Sequence, residues 1–228
     1  MKVGIINVTG YAGSELARIL YQHPEVEIAS VTGRSAAGQR LEEVFPHLAA
    51  LDLTITPELD GSLDLAFSAL PHKASAEAVI PALEQGLKVV DISADFRLKS
   101  VSEYEEWYSV QHQDASYMEE AVYGLSELHG DQVKSARLVA NPGCYPTSAI
   151  LALAPVVKNG LIEPDIIIDS KSGVSGAGRG LSLTAHFSEV NENVMAYALG
   201  GHRHLPEITQ ELGALTEERL NITFLTHL

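Results

Sequence analysis

The stretch "KVGIINVTGYAGSEL", residues 2–16, decides the fold of this chain. Residues 2–6 are mostly apolar and predict a short buried strand. Gly10 and Gly13 follow, three positions apart, and residues 14–23 have the apolar spacing of a helix. A strand that turns through glycines into a helix is the usual start of an α/β domain.

The alternation of strand and helix continues along the chain. Short apolar runs predict four more strands, at 26–33, 63–70, 87–93 and 136–141, with a helix at 73–86. This order predicts right-handed βαβ units and a parallel sheet, in which ligands bind at the carboxyl ends of the strands. After Cys144 come an apolar helix, a strand and a Gly/Ser loop, so we expect a domain boundary near residue 145.

Composition excludes several classes of protein. The chain has 228 residues, a net charge of −15 and 46% hydrophobic residues, as in ordinary globular proteins. The negative charge disfavours nonspecific binding to nucleic acid or to anionic membranes, and no apolar run reaches the ~18 residues of a membrane span. Because one cysteine cannot form an intrachain disulfide and no signal peptide follows Met1, we expect a cytoplasmic protein.

The first glycine loop predicts a dinucleotide site. Its N–H groups at the start of a helix would face an anion, although Asn7 and Val8 interrupt the usual G-x-G-x-x-G pattern and a plain turn is the alternative. The second strand ends in Arg34 and Ser35, without the acidic residue that is typical of an NAD site. Arginine suits a 2′-phosphate, so we expect NADP, with a solvated loop arginine as the alternative.

The only cysteine, Cys144, lies in "NPGCYPTSA", residues 141–149. Pro142 and Gly143 end the fifth predicted strand, and a helix follows. A helix N-terminus favours thiolate over thiol, which would make Cys144 a nucleophile. The alternative is a small buried hydrophobic residue, which is a common role for a free cysteine.

A nucleophilic cysteine needs a base, and "GGHRHLPEI", residues 200–208, offers candidates. We expect His202 or His204 to serve as the base, Glu207 as a carboxylate partner and Arg203 as an anion ligand. The H-x-H spacing also occurs in metal sites. No cysteine or acidic cluster stands nearby, so we expect no metal.

The second glycine loop is "SKSGVSGAGRG", residues 170–180. Its hydroxyls, N–H groups and the cations Lys171 and Arg179 suit a phosphate or a nicotinamide carboxamide. A flexible hairpin is the alternative. Together with Arg34, Arg97 and Arg203, the loop would concentrate the scarce positive charge of an acidic chain near one ligand.

Seven motifs together resemble those of N-acetyl-gamma-glutamyl-phosphate reductases: "TGYAGSEL", "ALPH", "DISADFRL", "YGLSEL", "NPGCYPT", "SGVSGAGRG" and "GHRHLPEI". They occur in the order of that family and span residues 9–208. The resemblance implies an α/β protein, with a Rossmann-type NADP-binding domain at 1–144 and a partial α+β catalytic and dimerisation domain at 145–228. It implies reduction of the acyl phosphate N-acetyl-glutamyl 5-phosphate in arginine biosynthesis, by a homodimer or homotetramer.

The resemblance also implies roles for individual residues. Cys144 would be the nucleophile, and His204, or else His202, the acid/base. The expected cofactor-binding residues are Thr9, Gly10, Tyr11, Ala12, Gly13, Arg34, Ser35, Ser68, Leu70, Pro71, Ser172, Gly176, Ala177 and Gly178. The expected substrate-binding residues are Arg97, Asn141, Lys171, Arg203 and Glu207.

The sequence departs from the family's pattern in two places. Asn7-Val8 stands where many relatives have Gly-Ala, and the chain stops at "ITFLTHL" where family members continue. We therefore expect an incomplete catalytic domain with open sheet edges. Three other functions stay open: an N-blocked aminoadipyl phosphate reductase of lysine biosynthesis, an aspartate-semialdehyde dehydrogenase, and a noncatalytic NADP-binding protein.

Overall fold

The computed structural model describes residues 1–228. The chain forms two compact units: Met1–Val101 with Val110–Asn141, and Ser102–Ser109 with Pro142–Leu228. No helix combines the length and apolar character needed to cross a membrane.

The first unit contains a six-stranded sheet of order β2-β1-β3-β4-β6-β5, in which all neighbouring strands are parallel. Its strands are β1 (Lys2–Ile6), β2 (Glu27–Val31), β3 (Leu65–Ser68), β4 (Lys88–Asp91), β5 (Val122–Tyr123) and β6 (Leu138–Ala140). Its helices are α1 (Tyr11–Tyr21), α2 (Leu41–Val44), α3 (Ala74–Glu84), α5 (Ser116–Glu120) and α6 (Ser126–Ser135). Helix α4 (Val101–Tyr108) belongs to the second unit, except for Val101. The α/β parallel-sheet fold predicted from the sequence is confirmed.

Burial explains why the predicted strands form. Val3, Ile5, Ala66 and Leu138 are fully buried, as expected for strands with helices on both faces of a sheet. All five predicted strands are present: β1 has the predicted bounds, and the other four are shorter than predicted. The two-residue strand β5 and the polar helices α4 and α6 escaped prediction, because they lack a long run of apolar residues.

The strand order places a topological switch point at β1. The chain passes from β1 to β2 on one side and then to β3 on the other side of β1. Ligands of open α/β sheets bind in the crevice at the carboxyl ends of the strands at such a point. The loops that follow β1 and β3 flank this crevice.

The second unit contains a three-stranded sheet of order β7-β9-β8, with β7 parallel and β8 antiparallel to β9. Its elements are α7 (Cys144–Lys158), β7 (Asp165–Lys171), α8 (Phe187–Val190), β8 (Ala196–Tyr197), α9 (Leu205–Gly213) and β9 (Asn221–His227). Helices α7 and α9 pack against each other, with Ile150, Ile208 and Leu212 fully buried. This packing holds the first turns of two helices that carry predicted site residues.

Candidate functional site

The turn after β1 depends on Asn7, whose φ of 64° is positive. Asparagine tolerates this left-handed conformation better than most residues. Its Nδ2 donates to the Ala69 carbonyl after β3 at 2.9 Å, and its backbone N–H donates to Thr32 Oγ1 after β2 at 3.1 Å. Asn7 therefore adopts a backbone conformation that usually needs glycine, and it links the ends of three neighbouring strands.

Gly13 allows α1 to approach this turn closely. A Cβ atom built on Gly13 would lie 2.4 Å from the Asn7 carbonyl oxygen and 2.8 Å from Val8 Cα. Gly10 is less restricted, because its nearest neighbour, Asn7 Nδ2, would be 3.7 Å from a Cβ atom. Gly13 therefore has the packing role of the third glycine in a dinucleotide-binding turn.

Gly13→Ala is expected to destabilise the first unit by about 2 kcal/mol, because the added methyl group meets backbone atoms that cannot rotate away. Chemical denaturation followed by far-UV circular dichroism measures the loss. Gly130→Ala in α6 is the matched control, since a Cβ atom there meets nothing within 4 Å, and it is expected to be neutral or stabilising. Equal stability of Gly13→Ala and the native chain would contradict this packing role.

The first turn of α1 contains the predicted residues Tyr11, Ala12 and Gly13 and has no acidic side chain or side-chain cap. No carboxylate of that turn therefore competes with a phosphate for the helix N-terminus. Arg34 and Ser35 lie exposed in a short 3₁₀ helix just after β2. The predicted residues after β1 and β2 thus lie at the carboxyl edge of one sheet.

Side chains after β3 and β4 form a buried network. Ser75 Oγ and Ser93 Oγ each donate to the Asp91 carboxylate, at 2.5 and 2.6 Å, and the hydroxyl of Ser68 lies 2.7 Å from that of Ser75. Burial raises the pKa of Asp91 to about 6 although these hydrogen bonds lower it. The predicted cofactor residue Ser68 therefore has its hydroxyl in the core, whereas Leu70 is partly exposed and Pro71 exposed.

The motif "DISADFRL" also fixes α3. Both carboxylate oxygens of the buried Asp95 accept backbone N–H groups at the start of that helix, from Lys73 at 2.7 Å and Ala76 at 2.9 Å. Two residues later, Arg97 is buried and donates to the carbonyls of Asn141 at 2.8 Å and Ile92 at 2.7 Å. These contacts connect the ends of β4 and β6. Substrate binding by Arg97 and Asn141 stays a prediction.

Cys144 is the first residue of α7, and it is exposed. The sequence predicted that a helix starts after Cys144, and in the structure the helix begins at Cys144 itself. Gly143 is the N-cap residue and provides no side-chain cap, while Pro146 lies within the first turn, where proline is tolerated. Cys144 is thus not the buried hydrophobic residue that was the alternative interpretation.

Tyr145, the next residue, is the centre of an aromatic cluster. Its hydroxyl donates to the His227 carbonyl at 3.0 Å and accepts a bond from the Tyr197 hydroxyl at 3.0 Å. Burial raises the pKa of Tyr145 above its ordinary value, so the phenol stays protonated. The rings of His202 and His204 lie edge-on to it, with centroids at 5.6 and 6.1 Å. The cluster therefore brings both predicted histidines next to the residue that follows the cysteine.

The two histidines differ in their surroundings. His202 is only 9% exposed, and its Nδ1 accepts the backbone N–H of His204 at 3.1 Å. Burial, helped by the neighbouring charge of Arg203, lowers the pKa of His202 to about 4. His202 is therefore neutral near pH 7, while the partly exposed His204 is the N-cap residue of α9.

Helix α4 contacts the histidine loop, residues 200–204, through two aromatic residues that were not predicted from the sequence. The Tyr108 hydroxyl donates to the Arg203 carbonyl at 3.3 Å, and the Arg203 guanidinium lies 5.8 Å from the Tyr108 ring centroid. Gly201 has a φ of 131°, and a Cβ atom on it would lie 3.3 Å from the Trp107 ring. The glycine pair before the histidines was the only sequence signal of such a close contact.

The second glycine loop is exposed along its length from Gly173. Lys171 forms an ion pair with Asp169, which also lies 3.0 Å from the imidazole of His227. Ser172 Oγ donates to the Gly173 carbonyl at 3.0 Å, and Gly176, Ala177 and Gly178 lie in and after a 3₁₀ turn. Their predicted contacts with cofactor, and that of Lys171 with substrate, stay predictions.

Comparison with known proteins decides the family. Residues 2–136 match the family model "Semialdehyde dehydrogenase, NAD binding domain", and residues 144–228 match "Semialdehyde dehydrogenase, dimerisation domain". An N-acetyl-gamma-glutamyl-phosphate reductase of Dehalococcoides mccartyi (strain CBDB1) is 57% identical over 228 residues, which are 100% of this chain and 67% of the relative. This chain belongs to the N-acetyl-gamma-glutamyl-phosphate reductase family. The family resemblance found from the motifs is thereby confirmed.

Other reductases of this family also match the whole chain. The reductase of Pelotomaculum thermopropionicum is 53% identical over 234 residues and that of Moorella thermoacetica 50%, with 100% of this chain and 67% and 68% of those relatives covered. The chain thus spans about two thirds of the length of the curated relatives that it matches.

Solved structures of aspartate semialdehyde dehydrogenases share the fold. The enzyme of Candida albicans with NADP has a TM-score of 0.66 at 15% identity, covering 99% of this chain and 66% of that one. The enzyme of Francisella tularensis has a TM-score of 0.65 at 16% identity, covering 100% and 72%. At such identities the likeness concerns the fold alone.

The first unit fits a nicotinamide dinucleotide. The close approach at Gly13, the left-handed Asn7 and the helix start without an acid form a backbone cradle of the kind that holds a pyrophosphate. The match to an NAD-binding model agrees with this geometry. The chain is thus a member of an oxidoreductase family that uses a nicotinamide cofactor.

Proposed function

We propose that this chain reduces N-acetyl-L-glutamyl 5-phosphate to N-acetyl-L-glutamate 5-semialdehyde and phosphate, with NADPH, in arginine biosynthesis. The observation that carries the proposal is the placement of the only cysteine, exposed, as the first residue of α7. Relatives that are 57% identical and bear the name of this reductase support the substrate.

The first step would use Cys144 as the nucleophile. Its sulfur attacks the carbonyl carbon of the acyl phosphate, while His204 takes the thiol proton. The carbon–oxygen bond to phosphate breaks, and phosphate leaves with the electron pair and receives the proton from His204. Backbone N–H groups of the first turn of α7 would hold the oxyanion. A thioester on Cys144 remains.

The second step reduces this thioester. The nicotinamide cofactor, when bound, supplies the hydride to the carbonyl carbon. The resulting thiohemiacetal alkoxide collapses, so the carbon–sulfur bond breaks and the aldehyde is released. Cys144 leaves as thiolate and regains a proton from solvent through His204, so that one proton is consumed overall. His202, neutral because of its low pKa, would orient the His204 backbone through their hydrogen bond.

Arg34 supports NADP as the form of the cofactor. It lies exposed just after β2, where an NAD site usually has an acid that binds the ribose hydroxyls. The planar guanidinium of arginine suits a 2′-phosphate.

We also propose that the protein acts as a homodimer or homotetramer, because residues 144–228 match a dimerisation domain model.

A substrate and cofactor comparison tests this function. The chain is expected to reduce N-acetyl-glutamyl phosphate at least about tenfold faster than the N-acetylated aminoadipyl phosphate, since one methylene is worth roughly 1–3 kcal/mol in a fitted site. NADPH is expected to work better than NADH, and Arg34→Ala to reduce that difference. Faster reduction of the longer substrate would move the enzyme to lysine biosynthesis. Cofactor binding without reduction of either substrate would indicate a noncatalytic binding protein.

A further inference from the structure

Glu207 is the most deeply buried carboxylate of the second unit and lies beside its nucleophile. It is 1% exposed, and its Oε1 accepts the backbone N–H of Gly143 at 2.8 Å. Gly143 is the N-cap residue of α7, directly before Cys144. A single hydrogen bond therefore links two residues that are 64 positions apart in the sequence.

A buried carboxylate is costly unless it has partners that compensate for lost hydration. Glu207 lies in the first turn of α9, where the helix dipole favours negative charge. Its hydrogen bond to Gly143 is charge-assisted, which makes it stronger than a bond between neutral groups. The position is thus that of a buried carboxylate held in a fixed contact with the backbone, rather than that of a solvated surface acid.

Helix α7 begins without a side-chain cap of its own. Helix starts leave backbone N–H groups without partners in the helix, and they fray when these groups are not bound. Glu207 supplies from another helix the acceptor that α7 lacks. Because Cys144 follows the capped residue directly, the contact sets the direction in which the first-turn N–H groups and the thiol point.

The same carboxylate is tied to the histidine loop. Glu207 lies three residues after His204, the N-cap residue of α9, so the start of α9 carries both. The hydrogen bond from Gly143 to Glu207 therefore joins the start of α7, which carries Cys144, to the start of α9, which carries the proposed base His204.

We propose that Glu207 is a positioning residue, whose carboxylate holds the Gly143 N–H and thereby keeps Cys144 in its reactive orientation at the start of α7. This inference rests on the proposed nucleophilic role of Cys144. The two roles expected for Glu207 from the sequence, substrate binding and partnership with a histidine, stay predictions beside this contact with the backbone.

Two variants of similar length separate the hydrogen bond from the charge. Glu207→Gln removes the charge but keeps an oxygen acceptor, and Glu207→Met removes both while filling the same space. The measurement is the pH profile of the alkylation rate of Cys144 by iodoacetamide in the full chain, which has no other cysteine. Because fraying weakens stabilisation of the thiolate by the helix start, the profile of Glu207→Met is expected about half a pH unit above that of Glu207→Gln.

Glu211 provides a matched control. It lies one turn further along α9, is 7% exposed, and its carboxylate accepts a bond from the side chain of Gln210. Glu211→Met is expected to leave the alkylation profile within about 0.2 pH unit of Glu211→Gln, because both variants keep the hydrogen bond from Gly143 to Glu207. Amide hydrogen exchange in residues 141–150 gives a second readout, since only Glu207→Met is expected to lose protection there.

The outcomes distinguish the inference from the function on which it rests. Identical profiles and identical exchange in Glu207→Met and Glu207→Gln would overturn the positioning role while leaving Cys144 as the nucleophile. A native chain that forms no acyl group on Cys144 when it is mixed with the acyl phosphate would instead overturn the nucleophilic role. If Glu207→Met fails to fold, hydrogen exchange of the Gly143 amide in the native chain tests the proposal instead. Rapid exchange of that amide would contradict the proposal.

Discussion

Cys144→Ser is expected to lower the rate of acyl phosphate reduction at least about 10³-fold, while binding of NADPH stays unchanged. A serine hydroxyl is ionised far less than a thiol near neutral pH, so it cannot form the acyl intermediate at a useful rate. The residue is exposed at the start of α7, so the change from sulfur to oxygen removes little packing. Steady-state assay of semialdehyde formation measures the loss, and fluorescence titration measures cofactor binding.

A single-turnover experiment without cofactor makes the same test sharper. The native chain is expected to release one phosphate per chain and to carry the mass of an acyl group on Cys144. The serine variant is expected to do neither. If Cys144→Ser retained the rate of the native chain, or if the native chain carried the acyl group on another residue, the thioester mechanism would be contradicted.

The sequence predicted the parallel sheet of the first unit well because its strands are buried on both faces. Val3, Ile5 and Ala66 have no exposed surface, and strands buried in this way appear in the sequence as short apolar runs. The polar helix α6 has no fully buried residue, and its sequence carries no comparable signal. Elements that are stabilised by burial in the sheet could thus be predicted from the sequence, and elements that are stabilised by contacts with distant segments could not.

The candidate site was readable as a set of residue types but not as a set of contacts. The position of Cys144 at a helix start follows from the local sequence, since proline and glycine end the preceding strand. The bond between Glu207 and Gly143, and the contact of Trp107 with Gly201, join residues far apart in the chain. No local pattern encodes such pairs, because they depend on how helices pack.

Protonation of His202 gives the second large effect that we expect, a loss of stability in the second unit as the pH falls. Burial lowers the pKa of His202 to about 4 in the folded chain, against 6.5 for a free histidine. The folded state therefore disfavours the charged form, and the unfolded state takes up the proton first. The stabilisation is complete above pH 6.5 and is lost as the pH falls towards 4, by about 3 kcal/mol in total.

The rings of Tyr145, Tyr197 and Phe224 surround His202 and offer no carboxylate that would compensate for a charge. Hydrogen exchange in α9, compared between pH 7 and pH 4.5 for the native chain and for His202→Phe, isolates this contribution. The native chain is expected to lose more protection than the variant. Equal losses would show that His202 is not the group responsible.

In the first unit, protonation of Asp91 is expected to have the opposite effect on stability, which gives an internal comparison. The pKa of Asp91 is raised by burial to about 6, so its folded state binds a proton that the unfolded state has released between pH 4 and 6. Protection of β4 is therefore expected to increase over the range in which that of α9 decreases. A uniform acid effect would weaken both elements, so opposite changes in one sample assign the loss in α9 to His202.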